Sequence, residues 1–113
     1  MPYIGTRTNK TISKEKELII KEKFGEAITI LGKSESWLML EFTGDLNMYF
    51  QGNGEDGIAY VDIKLLGSAS KETYNKMTQV VTEIISNELD INPSKIYVSY
   101  SEFANWGWNG NNF

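Results

Sequence analysis

The order of hydrophobic and polar positions predicts two helices and four principal strands. Apolar residues recur at intervals of three and four along residues 13–31 and 71–89, which is the spacing of an amphipathic helix. Gly32 stops the first helix and Pro93 marks the break after the second. Apolar and aromatic runs predict strands at residues 2–9, 37–42, 58–66 and 95–102, with a shorter strand at 48–50.

The two halves of the chain repeat one another. Ser13-Lys14-Glu15 returns as Ser70-Lys71-Glu72, and the same offset places Pro2 on Ala59. Each half therefore reads as strand–helix–strand, and such a crossover is almost always right-handed. The repeat predicts an α+β fold, a two-layer α/β sandwich in which two βαβ units form one four-stranded mixed sheet. Both helices lie on one face, and residues 1–113 form a single domain.

The strands look apolar on both sides. Their inferred faces carry Ile4, Leu38, Leu40, Ile63, Leu65 and Val98. Because the helices cover only one face, a monomer would expose a large apolar patch, and such patches usually mark an interface. The pattern therefore predicts an oligomer in which the open sheet faces pack together.

Composition and charge narrow the class of protein. Hydrophobic residues make up 41% and charged residues 23% of the chain, and the net charge is −4. An acidic chain without a basic tract is a poor partner for nucleic acid or an anionic membrane. No apolar run is long enough to span a bilayer, and no secretory signal is visible, so a cytoplasmic protein is expected. Cysteine and histidine are absent, and we expect no metal site.

Pro2 is the candidate catalytic group, because the commonest side-chain base and nucleophile are missing. If Met1 is removed, the proline nitrogen becomes a free amine, and such amines titrate near about 7.7–8.0. Burial or a nearby cation, such as Lys33, would lower that pKa towards the working range of a general base. The plain alternatives are a start codon followed by a rigid residue, and a solvated lysine at a helix end.

Several motifs along the whole chain resemble one family. They are Pro2 after Met1, Thr8-Asn9, Gly32-Lys33, Met48-Tyr49-Phe50, Leu66-Gly67, Ile96-Tyr97 and Asn105-Trp106-Gly107-Trp108-Asn109. This set is similar to the macrophage migration inhibitory factor family, within the tautomerase superfamily that has an amino-terminal proline. The resemblance implies a symmetric homotrimer whose active sites lie between adjacent subunits.

The resemblance also implies roles for particular residues. Pro2 would be the general base of a cofactor-independent keto–enol tautomerase acting on a small aromatic α-keto acid such as phenylpyruvate. Lys33 and the backbone around Leu66 would hold the substrate's carboxylate and oxygen, and Tyr97 of the neighbouring subunit would contact its other end. An aromatic wall would comprise Trp37, Trp106, Trp108 and Phe113, although core or interface packing explains such aromatics equally well. Ser99 stands where mammalian members carry a pocket asparagine, and Tyr3 and Trp106 replace smaller or more flexible groups.

A second hypothesis is a signalling ligand. In this alternative the chain is a cytokine-like protein, secreted without a signal peptide, that binds an immune receptor and keeps only a vestigial tautomerase site. Receptor contact would lie around Asp45 and residues 51–57. A trimeric scaffold that has lost its chemistry is a third possibility, since one fold can host several functions.

Overall fold

A computed structural model describes residues 1–113 as a sheet covered on one face by two helices. Strands β1 (Pro2–Thr8) and β2 (Met39–Thr43) flank helix α1 (Lys14–Ala27), and strands β3 (Ala59–Leu66) and β4 (Ile96–Phe103) flank helix α2 (Lys71–Leu89). The sheet order is β2-β1-β3-β4. Pairs β1–β2 and β3–β4 are parallel, while β1–β3 is antiparallel. The predicted pair of βαβ units in a mixed sheet is confirmed.

The two halves use the same signals to begin their helices. Ser13 accepts a hydrogen bond from the backbone N–H of Lys16, and Ser70 accepts one from that of Thr73. The first helix is shorter than predicted, because α1 ends at Ala27 and continues as the 3-10 turn Ile28–Leu31. Gly32 terminates that turn with a φ of 73°, a left-handed conformation that glycine adopts without a steric penalty.

The hydrophobic core lies between the helices and the covered face of the sheet. From the helices, Phe24, Met77 and Ile85 are fully buried, and they belong to one cluster with Val61 and Ile63 of the central strand. Along β3 buried and half-buried residues alternate strictly. This alternation gives the sheet one apolar face and one polar face.

The expectation of an apolar open face is wrong. All six residues that suggested it are buried or pack partly buried against the core: Ile4, Leu38, Leu40, Ile63, Leu65 and Val98. The open face carries mainly polar and charged side chains: Tyr3, Arg7, Glu41, Tyr60, Asp62, Lys64, Tyr97 and Ser99. Strand residues separated by an even number share a face, so the apolar positions all point to the same side. The trimer therefore draws no support from an apolar patch.

Local details differ from the sequence prediction at three places. Residues 48–50 form no strand, since only an isolated bridge joins Phe50 to Asn53 across a turn. Trp37 lies in a 3-10 turn, Glu35–Trp37, rather than in β2. The carboxyl-terminal tail forms a hairpin, β5 (Gly107–Trp108) and β6 (Asn111–Asn112). A last 3-10 turn, Pro93–Lys95, precedes β4.

Neither α-helix is long and apolar enough to cross a bilayer.

Candidate active site

A mainly apolar cleft of about 710 Å³ lies beside the amino terminus. It is bounded by the start of β1, the 3-10 turn before β2, the end of β3 and the first strand of the hairpin. Its lining comprises Met1, Pro2, Tyr3, Ser36, Trp37, Leu38, Met39, Lys64, Trp106, Gly107 and Trp108. The structure thus brings Pro2 together with three of the four residues of the expected aromatic wall, Trp37, Trp106 and Trp108.

Backbone pairing fixes the amino terminus next to Lys33. Pro2 lies opposite Leu65 at the end of the antiparallel β1–β3 pair. The carbonyl of Met1 accepts a hydrogen bond from the N–H of Leu66 at 3.1 Å. Lys33 Nζ donates to the carbonyl of the same Leu66 at 2.8 Å. The backbone of Leu66 therefore holds both the terminus and the lysine.

The local electrostatics favour the neutral form of the terminal amine. Burial lowers the pKa of the Met1 α-amino group below its ordinary value of 8.0, and the positive charge of Lys33 lowers it further. Burial and the distance to Lys33 are set by the position of the amine in the fold. They therefore do not depend on which residue carries that amine. Burial and Lys33 are also the two causes that were expected to act on the Pro2 amine after removal of Met1, which stays a prediction.

The carboxyl-terminal hairpin supplies most of the aromatic wall. Asn109 and Gly110 have φ values of 52° and 85°, as a two-residue turn of this kind requires. The turn brings Trp108 edge-on to Trp37, with ring centroids 4.9 Å apart. Phe113 stacks on Trp108 at 6.2 Å. The three rings are in continuous contact, and those of Trp37 and Trp108 line the cleft.

Trp106 completes the wall at the base of the hairpin. Its carbonyl accepts a hydrogen bond from the N–H of Phe113 at 3.0 Å, which closes the hairpin. Its ring lies edge-on to Phe103 at a centroid distance of 5.7 Å. Aromatic residues were expected in the tail, but its pairing into strands was missed. The Asn109-Gly110 dipeptide is the sequence signal that predicts it.

Lys33, Leu66 and Phe113 adjoin the cleft without lining it, and two other predicted site residues, Tyr97 and Ser99, lie well away from it within one chain. Tyr97 is 62% exposed and packs edge-on against Phe50 at 4.8 Å. Ser99 shares a 2.5 Å hydrogen bond with the hydroxyl of Tyr60. Pro2 is level with Glu102 across the sheet, so Tyr97 lies roughly 17 Å further along β4. Contact of Tyr97 or Ser99 with a substrate at Pro2 would therefore require a second subunit.

Tyr3 forms one side of the cleft mouth. Its side chain lies over Gly5, so any larger residue at position 5 would collide with it. Its hydroxyl donates a hydrogen bond to Glu41. That hydrogen bond and burial raise the pKa of Tyr3 above its usual value of 10.0. The glycine thus leaves room for a tyrosine that narrows the entrance.

The sequence analysis missed Lys64 and Met39 as cleft residues. Lys64 lies opposite Tyr3 in the antiparallel pair, and Met39 lies beside Tyr3 on the parallel side. The alternation of β3 could have placed Lys64 on the open face, but its approach to Tyr3 depends on the strand register. No group of three or more acidic side chains is positioned to hold a metal ion.

Comparisons with known proteins agree with this architecture. The profile of the family described as "Macrophage migration inhibitory factor (MIF)" matches residues 1–113. A macrophage migration inhibitory factor homolog of Brugia malayi is 25% identical over 115 residues, covering 100% of this chain and 99% of the relative. The crystal structure of Leishmania major MIF2 superposes with a TM-score of 0.93 at 29% identity, covering 100% of this chain and 97% of that one. A homologue from Prochlorococcus marinus gives a TM-score of 0.89 at 25% identity, with 98% of each chain covered. The match of both sequence and fold over the whole chain shows that this protein belongs to the macrophage migration inhibitory factor family.

Proposed function

We propose that this protein is a cofactor-independent keto–enol tautomerase of phenylpyruvate-like α-keto acids, acting as a homotrimer with Pro2 as its general base. The observation that carries the proposal is an amino terminus at an aromatic cleft, where burial and Lys33 lower the pKa of the Met1 amine; we infer the same direction for the Pro2 amine that removal of Met1 exposes. Membership of the tautomerase superfamily supports the same class of reaction. A base with a pKa near neutrality is what proton abstraction at ordinary pH requires.

The proposed reaction moves one proton and consumes no co-reactant. Removal of Met1 converts the Pro2 nitrogen from an amide into a secondary amine with a free electron pair. That pair takes a proton from the carbon next to the substrate's keto group, and the C–H electrons form the carbon–carbon double bond of the enol. The π electrons of the carbonyl move onto its oxygen, which takes up the proton from the Pro2 ammonium, so the amine is regenerated and atoms and charge balance. The same steps in reverse regenerate the keto acid.

The groups around Pro2 supply substrate binding in this proposal. An ammonium has three N–H donors, and Lys33 uses one of them on Leu66, which leaves two for a substrate carboxylate. Loss of Met1 also removes the carbonyl that occupies the Leu66 N–H, so this donor becomes available to a substrate oxygen. The rings of Trp37 and Trp108 would pack against the aryl group.

Replacement of Pro2 tests the role of the amine. In a Pro2→Gly variant with Met1 removed, a primary amine of different pKa and geometry replaces the proline amine. We expect phenylpyruvate tautomerisation, followed by ultraviolet absorbance of the enol, to fall by about 100-fold or more, because general-base catalysis contributes roughly that factor. The circular dichroism spectrum and the assembly state should not change. Retention of wild-type activity would refute the assignment of Pro2 as the base.

Family membership also suggests a receptor ligand as a second candidate function. A polar cleft of about 340 Å³ lies where this hypothesis places receptor contact, and it is lined by Asp45, residues 46–49 and part of the loop at 51–57. Thr11 donates a 2.5 Å hydrogen bond to Asp45 at its edge. This role requires the protein to reach the outside of the cell. Binding to a receptor ectodomain that survives Pro2→Gly but is lost in Asp45→Ala would support it, and absence of any binding would remove it.

A further inference from the structure

We propose that Lys64 is a specificity-determining residue of the cleft and selects α-keto acids that carry a second anionic group on their aryl end. This inference rests on the proposed function, because it assigns a substrate class to the same cleft. It concerns binding rather than proton transfer, so the two proposals can fail separately.

Lys64 is the only lining residue of the cleft whose side chain carries a formal charge. Asp62, whose carboxylate approaches Lys64, and Glu41, which bonds to Tyr3, do not line the cleft. Glu41 is already engaged by the hydroxyl of Tyr3. A ligand entering this apolar space therefore meets one cation and no carboxylate.

The ammonium of Lys64 is not committed to a strong internal partner. Its closest carboxylate oxygen, on Asp62, is 3.7 Å away, which is longer than a protein hydrogen bond. It also lies 5.8 Å from the centroid of the Tyr3 ring, a distance at which a cation is attracted to an aromatic face. The side chain is 42% exposed. None of the three N–H donors of the ammonium is therefore taken by a hydrogen bond within the chain.

Lys33 differs from Lys64 in both position and bonding. Lys33 donates to the carbonyl of Leu66, two residues along β3 from Lys64 on the same face of the sheet. Lys33 lies outside the lining of the cleft, and two strand residues span roughly 7 Å of backbone, so Lys64 and Lys33 are separate cations rather than one merged cluster. An aryl α-keto acid could place its carboxylate at Lys33 and a para-anionic group towards Lys64, with its ring against Trp37 between them.

A matched pair of unreactive acids tests the inference by calorimetric titration of the protein with a free Pro2. The probes are phenylacetate and 4-carboxyphenylacetate, which differ only in the second carboxylate. We expect the diacid to bind about tenfold more tightly, the lower end of what a charge-assisted hydrogen bond contributes. In Lys64→Met this preference should fall to less than about twofold, because the aliphatic stem remains and the charge is lost.

Three further variants separate charge from other effects. Lys64→Arg should keep the preference for the diacid, because the charge remains. Asp62→Asn should enlarge the preference, because it removes the carboxylate that competes for the ammonium. Lys21→Met, a control that removes an exposed lysine of α1, should leave the preference at the wild-type value.

The outcomes distinguish the two proposals. Equal affinities for the two acids in the wild type, a preference that survives Lys64→Met in a folded variant, or failure of both acids to bind would overturn the inference. A Lys64-dependent preference in a protein without tautomerase activity would keep the inference as an anion-binding site and refute the enzymatic proposal. Tautomerisation of phenylpyruvate without any preference for the diacid would do the reverse.

Discussion

Truncation of Trp108 should detach the carboxyl-terminal hairpin from the cleft without unfolding the domain. Trp108 is 52% exposed, and its ring contacts Trp37 at 4.9 Å and Phe113 at 6.2 Å between centroids. It is not part of the buried cluster between the helices and the sheet. Its contacts therefore hold the hairpin in place, whereas the helices and the four-stranded sheet are stabilised elsewhere.

The buried part of the ring sets the size of the effect. About half of a tryptophan's roughly 250 Å² is covered here, which at about 25 cal/mol per Å² corresponds to about 3 kcal/mol. A denatured chain already buries some of this area, so about 2 kcal/mol is the better figure. The edge-on pair with Trp37 adds about 1 kcal/mol. In Trp108→Ala we expect the hairpin to lose about 3 kcal/mol of docking free energy.

Fluorescence and ligand binding measure this loss. The emission of the remaining tryptophans should shift to longer wavelength as Trp37 becomes solvated, and binding of phenylacetate should weaken about tenfold or more. The midpoint of thermal unfolding by far-ultraviolet circular dichroism should fall by less than about 3 °C, because the core is untouched. Trp108→Phe, the control, should keep most of the affinity.

A core substitution provides the comparison that could refute this reasoning. Phe24 is fully buried, and Phe24→Ala should lower the free energy of unfolding by about 3–5 kcal/mol in a urea titration. If Trp108→Ala destabilised the whole domain as much as Phe24→Ala does, the hairpin would be part of the cooperative core. Unchanged affinity for phenylacetate in Trp108→Ala would show that the aromatic wall does not bind the aryl group.

Three other predictions follow from the terminal amine and from the cleft mouth. Lys33→Met should raise the pKa of the Met1 amine, but not fully to 8.0, because burial is the larger cause of the lowering. The pH dependence of acylation of the amino terminus measures this pKa. In the chain that retains Met1, the free energy of unfolding should rise with pH between the lowered pKa and 8.0, because the unfolded state binds more protons there. If urea titrations showed that the free energy of unfolding falls across this pH range, the lowered pKa would be contradicted. Gly5→Ala should push the Tyr3 ring away from Glu41 and lower the pKa of Tyr3 towards 10.0, as ultraviolet titration of tyrosinate would detect.

The repeated βαβ fold could be predicted because its signals are local. Helical spacing, the serine caps and the end of the first helical segment at Gly32 all depend on residues within a few positions of one another. Alternate residues of a strand point to opposite faces of the sheet, but this alternation does not say which face is buried. The apolar faces were misassigned for this reason. Ile63 and Leu65 differ by two positions and had to share a face, which the sequence analysis did not apply.

The resemblance predicted that Pro2, Lys33 and Leu66 lie near one another. The aromatic residues of the wall were also predicted, but the hairpin that positions them was not. Lys64 could not have been found, because its place in the cleft depends on its register opposite Tyr3. The separation of Tyr97 from Pro2 likewise depends on how β4 aligns with its neighbours. Long-range register is the information that local patterns do not contain.

The most direct test of the account compares two forms of the same protein in the phenylpyruvate tautomerisation assay. One form has a free Pro2, verified by mass, and the other keeps an uncleaved amino-terminal extension, so that only the nitrogen's chemistry changes. We predict enol formation with the free proline and none above background with the extended chain, while both forms show the same assembly state. Equal activity in the two forms would contradict the assignment of Pro2 as the general base, and inactivity of both would contradict the proposed enzyme.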